Sequence, residues 1–114
     1  MKLIDTTISN KELKEMSKKM FDNLVKAVVD VEKRIMIVDA PLHSDEEHLL
    51  LENESKQENL WGINIFPDKF GKEGFVVFDS MINLRPGQGN RSRGIDNPEI
   101  QKIIKKIVNK LVTE

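Results

Sequence analysis

The sequence predicts an α+β protein in which an antiparallel sheet of about four or five strands is flanked by an N-terminal and a C-terminal amphipathic helix. Two segments, one near each end of the chain, have apolar residues at the spacing of a helix. Between them lie short segments rich in β-branched residues, separated by glycine, proline and asparagine, as in strands joined by turns. A length of 114 residues suits a single domain, residues 1–114, with one hydrophobic core.

The N-terminal part of the chain predicts a short edge strand followed by a helix. Lys2–Thr6 is the candidate strand, and the stretch from Ser9 to Glu12 has the form of a capping box, which begins a helix. We expect this helix to end near Asp22–Asn23. Its apolar stripe consists of Leu13, Met16, Met20 and Leu24.

The next segment predicts a β-hairpin. Val25–Glu32 and Ile35–Val38 are rich in β-branched residues, and Lys33–Arg34 would form the turn, although neither residue favours a positive φ. One continuous helix beginning at Asn10 and running through both segments is the alternative. We reject it because the helical stripe ends at Leu24, whereas valines cluster beyond that point.

Residues 45–53 leave helix and strand open as alternatives. Ser44 and Glu47 have the spacing of a second capping box, which predicts a short helix over Asp45–Asn53 and places His43 before it. A strand over the same residues is a nearly equal alternative.

Leu60–Phe66 and Phe75–Leu84 predict two further strands, joined by a loop that contains one proline and two glycines. The second strand alternates less cleanly, which suggests burial on both faces or a bulge. Packing in the core is the favoured interpretation of Trp61, and an exposed anchor beside Gly62 is the alternative. One face of the first strand carries Leu60, Gly62, Asn64 and Phe66, and the other carries Trp61, Ile63 and Ile65.

The C-terminal segment predicts a long amphipathic helix. Asp96 or Asn97 would cap it, with Pro98 at the first helical position and Glu99 in the first turn. Its continuous apolar stripe consists of Ile100, Ile103, Ile104, Ile107, Val108 and Leu111.

Composition excludes several classes of protein. The chain has no cysteine, which excludes disulfide bonds, thiolate zinc sites and a cysteine nucleophile. The net charge is −1, so no overall field draws the protein to nucleic acid or to an acidic membrane. No apolar stretch is long enough to span a bilayer. We therefore expect a cytoplasmic protein with no cofactor and no membrane partner, and only weak support for nucleic-acid binding.

One segment stands out as a candidate binding site. Three of the four arginines and three of the six glycines lie between residues 83 and 94, just before the C-terminal helix. Arginine grips phosphate or carboxylate with two hydrogen bonds, and glycine lets successive N–H groups point at one anion. The segment matches neither the Walker loop nor the dinucleotide fingerprint. We expect a phosphate-containing small molecule to be bound by Arg85, Gln88, Asn90, Arg91, Ser92 and Arg93.

An acidic segment offers these arginines an alternative partner. Residues 39–58 contain seven acidic side chains and one lysine. The arginine-rich loop can therefore dock onto this segment, either within the chain or across a homodimer, without any ligand. A homodimeric interaction protein is the second hypothesis.

A hydrolase is the third and weakest hypothesis. His43 and His48 lie among carboxylates, but ligands five residues apart do not share a helix face, so we predict no metal site. His43 or Asp79 would then act as the base, and Ser80 or Ser92 is a nucleophile without the usual elbow motif. An oxyanion would be stabilised by Arg91.

Three stretches of the sequence, KAVVDVEKRIM, LWGINIFP and DSMINLRPGQGNRSRGI, resemble an uncharacterised family of small prokaryotic proteins, a domain of unknown function. The resemblance covers roughly Leu13 to Val112. It implies a single domain and brings no activity, cofactor or binding residue with it.

Overall fold

The computed structural model describes all 114 residues and confirms the predicted α+β class. Its five-stranded sheet has the order β1-β4-β3-β5-β6, in which every neighbouring pair is antiparallel, and a separate pair joins β2 to β7 in parallel. The helices are α1 (Asn10–Met20), α2 (His43–Glu52) and α3 (Pro98–Leu111). The strands are β1 (Lys2–Ile4), β2 (Ile8–Ser9), β3 (Val25–Asp30), β4 (Ile35–Val38), β5 (Leu60–Ile65), β6 (Val76–Val77) and β7 (Val112–Thr113).

The two faces of the sheet are covered by different helices. On one face, α1 and α3 form the larger core with the inward residues of β3, β4 and β5. Leu13 on α1, Ile63 on β5 and Ile104 on α3 are fully buried in this core. On the other face, α2 places Leu50 against a smaller cluster formed by Val28, Ile37 and Leu60. The predicted flanking helices at the two ends are confirmed, and α2 is an additional layer.

The alternation predicted for β5 explains this division. Trp61, Ile63 and Ile65 belong to the larger core, whereas Leu60 belongs to the smaller cluster on the opposite face. Trp61 is buried, as the favoured interpretation required.

The β3–β4 hairpin is confirmed, but β3 ends at Asp30 rather than at Glu32. The carboxylate of Asp30 accepts hydrogen bonds from the main-chain N–H groups of Glu32 and Lys33, at 2.9 and 3.0 Å, and so begins the turn. Arg34 completes the turn with a φ of 58°, an uncommon conformation for a residue other than glycine.

The two amphipathic helices begin where the sequence predicts. The Ser9 hydroxyl accepts from the Glu12 N–H at 3.2 Å, and Asn97 accepts from the Glu99 N–H at 2.9 Å with Pro98 at the first position. The predicted end of α1 is wrong by a few residues. It ends at Met20 because Asp22 turns into the left-handed region, with φ of 72°.

Residues 43–52 form a helix, but the predicted start at Asp45 and the predicted capping box are wrong. Leu42 is the N-cap residue, with extended backbone, and no side chain caps the helix. The Asp45 N–H bonds to the Leu42 carbonyl at 3.2 Å, so the first turn forms before Ser44 can act as a cap. An apolar N-cap stabilises a helix by about 1 kcal/mol less than Ser, Thr, Asp or Asn.

The predicted strand over Phe75–Leu84 is largely wrong. Only Val76–Val77 pairs with β5, and Met81–Asn83 forms one turn of 3₁₀ helix capped by the Ser80 hydroxyl, which accepts from the Ile82 N–H at 3.3 Å. The strand stops because the Asn83 side chain, rather than a neighbouring main chain, forms hydrogen bonds with the N–H and the carbonyl of Gly62 on β5.

The short β2–β7 pair was not predicted. It aligns Ile8 with Val112 and so joins the start of α1 to the end of α3. Two-residue strands are too short to show a period of two in the sequence.

Candidate functional site

The first arginine of the candidate loop is bound within the chain. Its Nε donates to the Ile82 carbonyl and its Nη1 to the Gln57 carbonyl, both at 2.9 Å, while the guanidinium carbon of Arg85 lies 4.6 Å from the centre of the Trp61 ring. Glu47 Oε2 lies 3.9 Å from Arg85 Nη2. Burial lowers the pKa of Arg85, and the Glu47 carboxylate opposes that change. Arg85 therefore joins the loop to residues 57–60 rather than facing solvent.

Two neutral side chains of the loop are also engaged. Gln88 donates to the Glu58 carbonyl at 2.9 Å. The buried Asn90 accepts from the Asp96 N–H at 2.8 Å, so its amide holds the two ends of the loop together. The Asn90 Nδ2 donates to the carbonyls of Asn83, Ser92 and Gly94.

The anion held by the remaining part of the loop is a side chain of the protein. The Asp96 carboxylate accepts from the Arg91 main-chain N–H at 2.8 Å and from the Ser92 hydroxyl at 2.6 Å. These two hydrogen bonds lower the pKa of Asp96, and the one from Ser92 has the larger effect. The side chain of Arg91 is exposed and makes no hydrogen bond or ion pair.

Arg93, near the end of the loop, lines a polar cleft. Its Nε contacts Asp79 Oδ1 at 2.8 Å, and its carbonyl accepts from the Ser80 N–H at 2.9 Å. The cleft has a volume of about 190 Å³ and lies between the start of α2, the sheet and residues 79–82. Its principal polar side chains are Lys26, His43, Ser44, Asn64, Asp79 and Arg93.

The sheet and α2 bring the members of the cleft together. Lys26 on β3 and Asn64 on β5 are directly opposite in the antiparallel register, so their side chains share a face. That face is the one covered by α2, whose first residue is His43. His43 therefore lies inside the helix, not before it as predicted.

His43 is buried and held in one tautomer. Its Nε2 lies 2.7 Å from the Ile63 carbonyl, which can only accept, so Nε2 carries the proton. Burial lowers the pKa of His43 below its ordinary value of 6.5, against the opposing effects of the Ile63 carbonyl, Asp79 and the Asn64 side chain. The ring is therefore uncharged at neutral pH, and Nδ1 carries no proton.

Asn64 and Lys26 complete the sheet side of the cleft. The Oδ1 atom of Asn64 is buried and accepts no hydrogen bond. The Lys26 ammonium lies 4.8 Å from the centre of the Phe21 ring. Together with Arg93 and Asp79, the cleft contains two cations and one carboxylate.

Ser80 has a structural role at the edge of the cleft. It is 2% exposed, and its hydroxyl caps the following 3₁₀ turn against Gly62. His48 lies apart from the cleft, where it pairs with Glu52 at 2.6 Å on the exposed side of α2. The two histidines therefore do not share a site.

A larger depression beside α1 has a different character. It has a volume of about 680 Å³, and its polar side chains, Lys2 and Glu15 among them, are all exposed or half-buried. The cleft at His43, by contrast, contains a buried titratable group. Buried polar groups in a concave site are the better indicator of function.

The sequence grouped His43, Asp79 and Ser80 in the hydrolase hypothesis and placed Arg93 in the separate anion-binding loop, and it did not indicate Lys26 or Asn64 as site residues. A signal for those two was available. Each is a polar residue within a mostly apolar strand, on the face opposite the larger core.

Comparison with known proteins agrees with the resemblance seen in the sequence. Residues 2–111 match the family described as Protein of unknown function (DUF5674), a span that includes the five-stranded sheet, all three helices and the cleft. No curated protein and no solved structure matches the chain. No helix combines the length and apolar character needed to cross a membrane. The chain belongs to the DUF5674 family.

Proposed function

We propose that this protein binds a small anion of the phosphate type in the cleft between the start of α2 and residues 79–82. The observation that carries the proposal is that Lys26, Arg93 and the buried His43 line one cavity of about 190 Å³. Two cations against one carboxylate leave an excess of positive charge. Pockets for drug-sized ligands measure about 300–1,000 Å³, so this cleft suits a smaller group.

Arg93 is the principal anion-binding residue of the proposal. Asp79 engages its Nε at 2.8 Å, and neither Nη atom makes a hydrogen bond within the chain. A guanidinium held at one edge by a carboxylate presents its remaining N–H groups in a fixed plane, which suits two oxygen atoms of phosphate. The uncapped N-terminal end of α2 adds a favourable dipole beside it.

The proposal narrows the site expected from the sequence. Arg85, Gln88 and Asn90 already bind main-chain groups of the same chain, and Ser92 binds Asp96. Arg91, with its free side chain, defines the alternative location on the outer side of the loop.

Titration with inorganic phosphate, followed by amide NMR shifts, tests the proposal. We expect shifts at residues 42–44, 64, 79–80 and 93 that are lost in Arg93→Gln and retained in Arg91→Gln, which removes the same charge two residues away. Shifts confined to residues 85–92 and abolished by Arg91→Gln would place the anion on the loop and overturn the cleft. If neither inorganic phosphate nor phenyl phosphate shifts any amide signal, anion binding is refuted altogether.

A hydrolase that uses His43 as its general base is the second candidate. The observation in its favour is the fixed tautomer, which leaves a neutral Nδ1 at neutral pH in a cleft that also contains Asp79. Hydrolysis of p-nitrophenyl phosphate esters would then be lost in His43→Gln and retained in the matched variant His48→Gln. The rate would fall at acidic pH through a pKa below 6.5. Equal rates in the two variants would refute this candidate.

A cytoplasmic homodimer remains part of the proposal. Leu3 on the edge strand β1 is 46% exposed, and an exposed apolar edge supports pairing with a second copy. Light scattering on the purified protein tests the dimer, and a monomer at high concentration would refute it.

A further inference from the structure

We infer that the anion recognised by the cleft is organic, a phosphate monoester with an apolar group next to its phosphate, rather than free inorganic phosphate. This inference rests on the proposed function. Its basis is that two large apolar side chains of the cleft, Leu42 and Met81, are 53% and 62% exposed. One precedes α2 and the other begins the 3₁₀ turn, so they border the polar groups from two different segments.

Helix stability does not account for Leu42. It occupies the N-cap position of α2, where serine, threonine, aspartate or asparagine would supply a hydrogen bond that leucine lacks. Core packing does not account for it either, because more than half of the residue is exposed. A residue that breaks two local rules without a structural gain is expected at a functional site.

Met81 is the most exposed large apolar residue of the chain, at 62%. Its neighbours are anchored: Ser80 is buried, and Ile82 packs against the smaller apolar cluster. The turn is therefore held in place while the Met81 side chain points away from the core. Methionine is flexible and polarizable, which suits contact with apolar groups of varied shape.

The charged side chains of the cleft agree with the phosphate part of such an ester. Arg93 and Lys26 both line the cleft and supply positive charge. The phosphate oxygens of the ligand would accept hydrogen bonds from the Arg93 guanidinium, while its carbon atoms would cover Leu42 and Met81.

Parallel titrations with phenyl phosphate and inorganic phosphate test the inference. We expect the wild-type protein to bind phenyl phosphate at least about 3-fold more tightly, the difference that burial of one to two methylene equivalents produces. Leu42→Ala and Met81→Ala should each reduce that preference and leave the affinity for inorganic phosphate unchanged. Leu51→Ala, which truncates a leucine of α2 that is 39% exposed and does not line the cleft, should leave both affinities unchanged.

The outcomes separate this inference from the proposed function. Equal affinities of the wild-type protein for the two anions, or a preference that neither alanine variant alters, would overturn the inference and leave anion binding in place. Loss of binding of both anions in either alanine variant would also overturn it, because the apolar side chains would then not act on the organic part. Failure of both anions to perturb any cleft residue of the wild-type protein would overturn the proposed function as well.

Discussion

The side-chain amide of Asn83 forms two hydrogen bonds with the main chain of Gly62: Oδ1 accepts from the N–H and Nδ2 donates to the carbonyl, both at 2.9 Å. Both residues are buried. One side chain therefore replaces the strand that would otherwise continue beside β5. Nδ2 also donates to the Arg93 carbonyl at 3.0 Å, which connects the sheet to the segment that lines the cleft.

Replacement of Asn83 by alanine should destabilise the protein by about 3 kcal/mol. The change leaves the buried N–H and carbonyl of Gly62 without partners, and each such group costs about 1–3 kcal/mol. Urea unfolding measures the effect, with Asn109→Ala on the exposed side of α3 as the control. A loss below about 1 kcal/mol would contradict the structural role of this amide.

Replacement of Gly62 by alanine should destabilise the protein through a steric clash with Ser80. An added Cβ would lie 2.6 Å from Ser80 Cβ and 2.7 Å from its Oγ, far inside contact distance. We expect a loss of about 1–3 kcal/mol. Addition of Ser80→Gly, which removes both atoms, should recover part of that loss, whereas the two changes would be simply additive if the residues did not touch.

Replacement of Arg85 by lysine should destabilise the protein by about 2 kcal/mol, because an ammonium cannot reach several carbonyls in one plane. The loss of the guanidinium above Trp61 should also shift the fluorescence of this single tryptophan. Thermal unfolding and fluorescence spectra measure the two effects. Arg34→Lys, in the exposed hairpin turn, should change neither.

The stability of the folded state should fall with rising pH because of Glu46. This residue of α2 is fully buried, and no side chain of the protein forms a hydrogen bond with its carboxyl oxygens. Burial raises its pKa from 4.5 to about 10, opposed by the Ala40 N–H, Lys26 and the amino terminus, while Asp39 reinforces the rise. The folded state thus retains a proton that the unfolded chain releases above pH 4.5.

The contribution of the protonated Glu46 to folding stability is therefore complete below pH 4.5 and declines until the pH reaches about 10. Glu46→Gln, which stays neutral, should remove this slope of up to about 1.4 kcal/mol per pH unit. Urea unfolding at pH 5, 6.5 and 8 measures the difference between the two proteins. If the exposed variant Glu15→Gln flattens the profile as much as Glu46→Gln, Glu46 is not the responsible group.

The local pattern of the sequence was sufficient to predict the amphipathic helices and the strands that are rich in β-branched residues. The apolar stripe of α3 is visible in the sequence because it is periodic, and the β3–β4 hairpin because both of its strands are rich in β-branched residues. The caps at Ser9 and Asn97 were predictable because each acts within three residues of the chain. The first strand of the second hairpin, β5, was predictable from its alternation.

The site was predictable in its residue types and not in its arrangement. The sequence indicated His43 and Asp79 as candidate bases of a hydrolase and Arg93 as part of an anion-binding loop, but nothing in their spacing places all three in one cleft. Lys26 and Asn64 share that cleft only because β3 and β5 pair in one particular register.

By itself, the sequence determined the α+β class, the two amphipathic helices and the concentration of arginine beside glycine in one loop. Only the tertiary structure decided which arginines are available. The carbonyls that bind Arg85 belong to residues 57, 60 and 82, and the carboxylate that binds Arg93 belongs to Asp79. Main-chain carbonyls are present at every position of any sequence, so their partners emerge only when the folded chain brings distant segments together.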